Sequence, residues 1–196
     1  MAGRDPNDIA AYEEDLARVT IGGPRTLAGP VVIADYDPDW PEWYAAEEAR
    51  IRSILGDRVL RLEHVGSTSV PGLSAKPLID MVLEVDDSAE ESAYVPDLEA
   101  SGYDLRIREP EWFEHRLLKG PKRDINLHVF SAGCPEVGRM LLFRDWLRAN
   151  AADRELYAEA KKQLASRPWK YMQQYADSKT AVVNEIMARA EAAGRS

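Results

Sequence analysis

The feature that most constrains the fold is the stretch 59–85, VLRLEHVGSTSVPGLSAKPLIDMVLEV, where a strand pattern runs into a glycine- and hydroxyl-rich turn and returns as a second strand carrying one acid. Residues 59–65 alternate, with Leu60 and Leu62 on one face and Arg61 and Glu63 on the other, as a half-buried strand does. Gly66-Ser67-Thr68-Ser69 breaks it. Residues 78–85 alternate again, Ile79, Met81, Leu83 and Val85 on one face and Asp80, Val82 and Glu84 on the other. Asp80 is therefore expected to look out of an apolar sheet. A carboxylate a few residues past a loop of hydroxyls and backbone N–H groups suits a metal-bound phosphate, which needs donors and a cation bridge. The plain alternative is an ordinary turn followed by a solvated strand acid. A Walker loop is excluded, because Gly66 and Gly72 enclose five residues and Leu73-Ser74 follows in place of Lys-Ser/Thr.

The rest of the chain reads as support for that unit. Asn7 is placed to cap a short helix with Ile9, Tyr12, Leu16 and Val19 on one face, ended by Gly22-Gly23-Pro24. That stripe needs a partner, and we expect it to dock on its own domain, with a second subunit of a homodimer as the alternative. Asp37-Pro38-Asp39-Trp40-Pro41 opens an amphipathic helix with Trp43, Tyr44, Ile51, Ile54 and Leu55 on its apolar side, its glutamates mostly exposed and Gly56 as its stop. Trp40 reads as a core anchor. A helix is expected to run to about Ala100, a strand over 103–108, and a hairpin of strands 112–118 and 124–130 around the cationic tip Lys119-Gly120-Pro121-Lys122-Arg123, which we expect to be solvated, with a phosphate-binding tip as the alternative.

In the second hairpin strand Ile125, Leu127 and Val129 form the apolar face, so Asn126 and His128 join Asp80 on the polar one. His128 is then either a site residue or an exposed, unliganded histidine. His64 shares its face with Leu60 and Leu62 and is expected to be a hydrogen-bonded structural histidine that fixes the turn. From Pro135 the period becomes helical, with apolar positions Val137, Met140, Leu141 and Leu147, then Leu156, Ala160 and Leu164, then Tyr171, Tyr175, Val182, Ile186 and Ala190. Strands followed by helices argue for an α+β domain, a mixed β-sheet with helices on one face and a helical C-terminal part closing a cleft.

Composition narrows the function classes. At 196 residues the chain divides into an extension, 1–28, and one domain, 29–196. Its net charge of −9 opposes sequence-independent nucleic-acid binding, which needs clustered cations. Cys134 is the only cysteine, so no intrachain disulfide or cysteine-cluster metal site can form. No stretch approaches the ~18 apolar residues of a membrane span, and the N-terminus lacks a signal peptide's pattern, which makes the cytoplasm the expected location.

Glu63-His64-Val65-Gly66-Ser67-Thr68-Ser69-Val70-Pro71-Gly72-Leu73, Ala75-Lys76-Pro77 and Ile79-Asp80 resemble the signature of the GrpB (UPF0157) family. The resemblance extends through Tyr36-Asp37-Pro38-Asp39-Trp40-Pro41, Asn126-Leu127-His128-Val129 and Phe143-Arg144-Asp145-Trp146-Leu147-Arg148. It implies a nucleotidyltransferase-like fold, similar to a domain that follows the kinase in some dephospho-coenzyme A kinases, with Gly66-Ser67 and Asp80 matching the superfamily's Gly-Ser and first-aspartate elements. It further implies Mg²⁺ held by Asp80, ATP or another triphosphate on Gly66, Ser67, Thr68 and Ser69, and Lys76 and Arg116 as phosphate cations; Lys179 and Arg144 would reach phosphates if they lie on the cleft side, and are otherwise ordinary helix cations. Asp80, His128 and Lys76 would carry catalysis, with the nucleotidyl group passing to a small hydroxyl, amine or carboxylate acceptor. The superfamily's second acid would fall at Val82, and Glu84 stands roughly 13 Å from Asp80 at ~3.3 Å per residue. A third acid would come from a neighbouring strand, where this chain offers Asn126 and His128. The alternative is a non-catalytic module that binds a nucleotide, a coenzyme-like anion or another protein on the same fold.

Overall fold

Five strands form one mixed sheet in the computed structural model, which describes residues 9–122 and 124–194. They are β1 (Arg61–Val65), β2 (Ile79–Val85), β3 (Asp104–Glu109), β4 (His115–Lys119) and β5 (Ile125–Ser131), in the order β1-β2-β5-β4-β3. β2 and β5 run parallel, and every other neighbouring pair is antiparallel. The register sets Asp80 beside Asn126 and Val82 beside His128, so the polar positions of the two central strands share one face.

The opposite face carries the main core. Leu62, Ile79, Met81, Leu83, Leu127 and Val129 pack there against α2 (Trp40–Leu55) and α3 (Val95–Ala100). Pro41 lies in the first turn of α2, where its missing N–H costs nothing, and Gly56, at φ 57°, ends the helix while its N–H bonds Arg52 O. Between these signals Trp40, Ile51 and Leu55 are buried at helical spacing, and each contributes on the order of 1.5–3 kcal/mol.

On the second face the C-terminal helices close over the sheet, as expected, and leave a cleft. Val65, Val82 and Phe130 pack beneath Val137 of α4 (Pro135–Ala149), so Val82 is 0% exposed and the Asp80 side chain only 26%. Asp80 therefore faces a half-covered cleft instead of open solvent. Other departures have local causes. Leu60 precedes β1 and is 55% exposed. Glu47 is buried because Tyr103 donates its hydroxyl to it. A 3-10 turn at Glu91–Ala93 leaves α3 shorter than the pattern suggested. β4 begins at His115, since Phe113 and Glu114 adopt φ of 56° and 51° and turn the chain.

The C-terminal helices show how polar bonds override an apolar stripe. In α5 (Ala151–Ala165) the buried face is Asp153, Tyr157, Lys161 and Ala165, while Leu156 is 40% exposed. Asp153 accepts from Trp146 Nε1 at 2.6 Å and Arg189 Nη2 at 2.6 Å, and Lys161 donates to Ser74 O, so both polar groups are paired in the interior. The expected third helix divides into α6 (Met172–Ser178) and α7 (Thr180–Ala193). Ser178 and Thr180 donate their hydroxyls to Tyr175 O and Asp177 O at 2.8 and 2.6 Å, competing for the carbonyls that would continue the helix. Lys179 is left at the break.

α1 (Ile9–Val19) docks on its own chain, as expected. Tyr12 and Leu16 pack with Tyr171, and Tyr12 donates its hydroxyl to Asp177 Oδ2 at 2.7 Å, whereas Ile9 is 43% exposed. Asn7 and Arg123 lie outside the described residues. Among the described residues no helix is long and apolar enough to cross a membrane.

Candidate functional site

The polar face of β2 and β5 opens into a cavity of about 560 Å³, roofed by α4 and by the α6–α7 junction. Gly66, Asp80 and His128 form its floor, Arg139, Met140 and Phe143 come from α4, Tyr157 from α5, and Lys179 from the junction. Trp112, from the β3–β4 turn, closes one side. This volume suits a small ligand.

Asp80 is the fixed point. Asn126 Nδ2 donates to its Oδ1 at 2.7 Å, and His128 Nε2 stands 3.7 Å from the same oxygen. Burial alone would raise the carboxyl's pKa, but the facing His128 imidazole, the Asn126 bond and the Lys179 charge outweigh it and hold the group below the ordinary range. Asp80 is therefore a carboxylate at neutral pH. Gly66 makes room for it: φ is 70°, and a Cβ built there would lie 2.5 Å from Asp80 Oδ2. Lys179 is half-buried with Nζ 4.9 Å from the Tyr175 ring centre. Its burial is outweighed by Tyr157, Tyr175, Asp80 and Asp177, which raise its pKa and keep it charged.

The residues named from sequence divide. Gly66, Asp80, His128 and Lys179 come together at the cavity. Thr68 and Ser69 do not offer their hydroxyls to it: Thr68 donates to Leu78 O at 3.0 Å and Ser69 to Gly66 O at 2.6 Å, and both side chains are buried. Ser67 lies in the same 3-10 turn, half-buried, and makes no side-chain hydrogen bond among the described residues. Lys76 does not line the cavity and sits near Lys119, which is bonded to Asn126. Arg116 points to the opposite face of the sheet, since it pairs with the core residue Val129, and its guanidinium binds Glu91 at 2.6 Å. Arg144 is engaged too, donating to Glu63 Oε2 at 2.9 Å and His64 O at 3.0 Å.

His64 takes the structural part expected of it. It is buried, stacks on Tyr44 at 4.8 Å and lies 3.0 Å from Thr68 Oγ1. Because Thr68 spends its proton on Leu78 O, His64 Nε2 is the donor of that bond. Burial lowers the His64 pKa to about 4, in keeping with a neutral ring.

The donor set does not fit a resident magnesium pair. The second-acid position is the buried Val82, and Glu84 is tied to Gly133 N at 3.0 Å and Arg61 at 3.0 Å. Among the described residues no three His, Cys, Asp or Glu side chains gather as a metal site. Asp80 is the single carboxylate on the floor, with one oxygen already bonded to Asn126 and the other against Gly66, and Glu136, the other acid lining the cavity, is paired with Arg139 on α4 at 3.4 Å. Mg²⁺ asks for near-octahedral oxygen ligation, and a lone, partly engaged carboxylate falls short of a site for it.

Several cavity residues were not anticipated from sequence. Arg139 had a legible signal, standing on the helix face of Met140 and Phe143, but one cation on an amphipathic helix is ordinary. Trp112 had none, nor had His115 buried behind it, because the turn that places them depends on two consecutive left-handed residues that are not glycine.

The GrpB protein family model matches residues 30–189. A UPF0157 protein of Halalkalibacterium halodurans is 56% identical over 186 residues, covering 95% of each chain. One from Streptomyces coelicolor is 44% identical over 194 residues, covering 99% of this chain and 98% of its own. A dephospho-CoA kinase of Mycolicibacterium paratuberculosis is 30% identical over 164 residues, 70% of this chain but 40% of the kinase. Among solved structures, the conserved protein GrpB from Enterococcus faecalis superposes with a TM-score of 0.72 at 34% identity, covering 81% of this chain and 96% of that one. The GLD-2/RNP-8 complex gives 0.53 at 11% identity, covering 91% of this chain and 64% of that one, and Cid1 with its short product ApU gives 0.50 at 17%, covering 69% and 43%. At those identities the likeness to nucleotidyltransferases is one of fold. With a family model spanning most of its length and relatives aligned nearly end to end, the chain belongs to the GrpB (UPF0157) family.

Proposed function

We propose that the cavity binds a nucleoside triphosphate, with any Mg²⁺ arriving as part of that substrate, and that the protein transfers the nucleotidyl group to a small acceptor. The observation that carries this reading is the meeting of Lys179 with Gly66, Asp80 and His128 in one cavity. Lys179 is a cation placed for phosphate oxygens, with Arg139, which donates to Glu136 at 3.4 Å and Asn184 at 3.2 Å, as a second cavity cation, while Trp112, Met140 and Phe143 offer apolar and aromatic surface for a base. Transfer at phosphorus is mostly a matter of holding the phosphates and neutralising charge, which such a lining suits.

Calorimetric titration with magnesium nucleoside triphosphates, followed by pyrophosphate release in the presence of a metabolite pool, tests the proposal. Binding is expected to weaken about 10–100-fold in Lys179→Ala, the loss of one charge-assisted bond of about 1.5–3 kcal/mol. If no triphosphate binds, the reading is wrong. The buried Val82 favours a second reading, a nucleotide-binding module without transfer. Binding unaccompanied by pyrophosphate release with any acceptor would select it.

A further inference from the structure

His128 is the inner end of a hydrogen-bonded chain that crosses the sheet. Glu109 Oε2 lies 2.9 Å from His115 Nδ1, His115 Nε2 lies 3.0 Å from His128 Nδ1, and His128 Nε2 faces Asp80 Oδ1 at 3.7 Å. The residues come one each from β3, β4, β5 and β2, which are neighbours in the sheet. Glu109 and His115 are 5% and 2% exposed, and Phe130 and Trp112 pack on the His115 ring with centres 4.8 and 4.9 Å away. Only the His128 end reaches the cavity.

We propose that Glu109 and His115 are positioning residues that fix His128 as the tautomer protonated at Nδ1, presenting Nε2 to the cavity as the proton acceptor for the attacking group. A carboxylate only accepts, so His115 Nδ1 carries the proton of the first bond. Burial takes the His115 pKa down to about 4, so the ring is neutral and its Nε2 is a lone pair. His128 Nδ1 must then donate to it, since two facing acceptors in a dry, aromatic-lined site would leave each unsatisfied. That leaves Nε2 as the basic nitrogen of His128; at 3.7 Å from Asp80 Oδ1 it is beyond a direct hydrogen bond, and because both acceptors open on the cavity, unlike the His115–His128 contact, a donor seated between them serves both.

The step builds on the transfer reading above. The acceptor X–H gives its proton to His128 Nε2 as X bonds to the α-phosphorus and the bond to the leaving pyrophosphate breaks. The imidazolium so formed keeps its Nδ1–H on His115 and faces the Asp80 carboxylate, which stabilises the new charge. The proton then leaves to water or pyrophosphate. In this way an imidazole backed by a buried acid does the work of a carboxylate base, in a site where Val82 and Asn126 stand instead of acids.

The chain has three histidines, so imidazole nitrogens can be read individually by long-range ¹H–¹⁵N correlation on the free protein. At neutral pH His115 and His128 are expected to carry the proton on Nδ1, and His64 on Nε2 as an internal contrast. Glu109→Leu, which is similar in size and removes the acceptor, should shift His128 toward the Nε2–H form. In turnover it should lower kcat by roughly the 100-fold at the lower end of a positioned base's contribution, with KM unchanged. A parent spectrum with His128 protonated on Nε2 alone overturns the proposal, as does a His128 tautomer indifferent to Glu109→Leu. The spectrum needs no nucleotide. Absence of transfer with the expected tautomers would therefore sink the transfer reading, and the role of His128 as its base, separately from the Glu109–His115 relay.

Discussion

Gly66 and Asp80 are a matched pair, one giving up a side chain so that the other can turn into the cavity. With φ at 70° and a Cβ position 2.5 Å from Asp80 Oδ2, Gly66 has both conformational and steric reasons to remain glycine. Gly66→Ala is expected to destabilise the fold by about 1–3 kcal/mol from the left-handed backbone alone. It should also displace Asp80, and an unchanged urea midpoint would contradict this. The buried histidines set a pH dependence. His64 and His115 both have native pKa values of about 4, below the ordinary 6.5, so below pH 6.5 the unfolded chain binds protons that the native state refuses. Their contribution is complete above pH 6.5 and is lost as pH falls toward 4, by up to about 1.4 kcal/mol per pH unit for each ring. Denaturation midpoints measured across that window should show the slope, and His64→Gln should reduce it.

Among the elements, α4 does more than roof the cavity. Arg144 and Arg148, one helical turn apart, donate to His64 O and Ser69 O, carbonyls on either side of the Gly66 turn, at 3.0 Å and at 2.8–3.0 Å. Together they clamp the turn from the helix. Arg148→Ala should cost about 1–3 kcal/mol, because the Ser69 carbonyl loses a charged donor in a part-buried setting, and it should loosen the turn as seen by amide exchange at residues 66–70. Wild-type exchange there would show the clamp to be idle. α1 acts in a similar way on α6. Leu16 is 5% exposed and packs with Tyr12 and Tyr171, so Leu16→Ala is expected to cost about 2–5 kcal/mol, measured by denaturant unfolding. A smaller loss would mean that the extension is an accessory to the domain.

Across the whole molecule, the cavity is where sheet and C-terminal helices meet without filling the space between them. A ligand seated there would bridge the two and stabilise the native state by mass action. A triphosphate at 100 times its Kd should add about 2.7 kcal/mol, visible as a raised melting temperature. Asp80→Asn should keep the fold, since Asn retains shape and hydrogen bonding, but lose most of that ligand-dependent shift. If the variant shifts as the parent does, Asp80 has no part in binding and its pairing with Gly66 is purely structural.

What the sequence determined by itself is what depends on the chain's own period and breakers. Pro41 and Gly56 bound α2, alternation over residues 78–85 and 125–129 puts Asp80, Asn126 and His128 on one face, and the phase of His64 puts it in the core. A period says which side of its own element a residue faces, and says nothing of what covers that side. Tertiary structure decided the rest. It buried Val82 and Phe130 under α4, spent the hydroxyls of Thr68 and Ser69 within their own turn, and sent Arg116 to the face opposite Asp80. It placed Lys179 over the cavity by breaking a helix at hydroxyl-bearing neighbours. The Glu109–His115–His128 chain belongs wholly to this second kind, because its hydrogen bonds run across three strands and exist only once register and the left-handed turn before His115 are set.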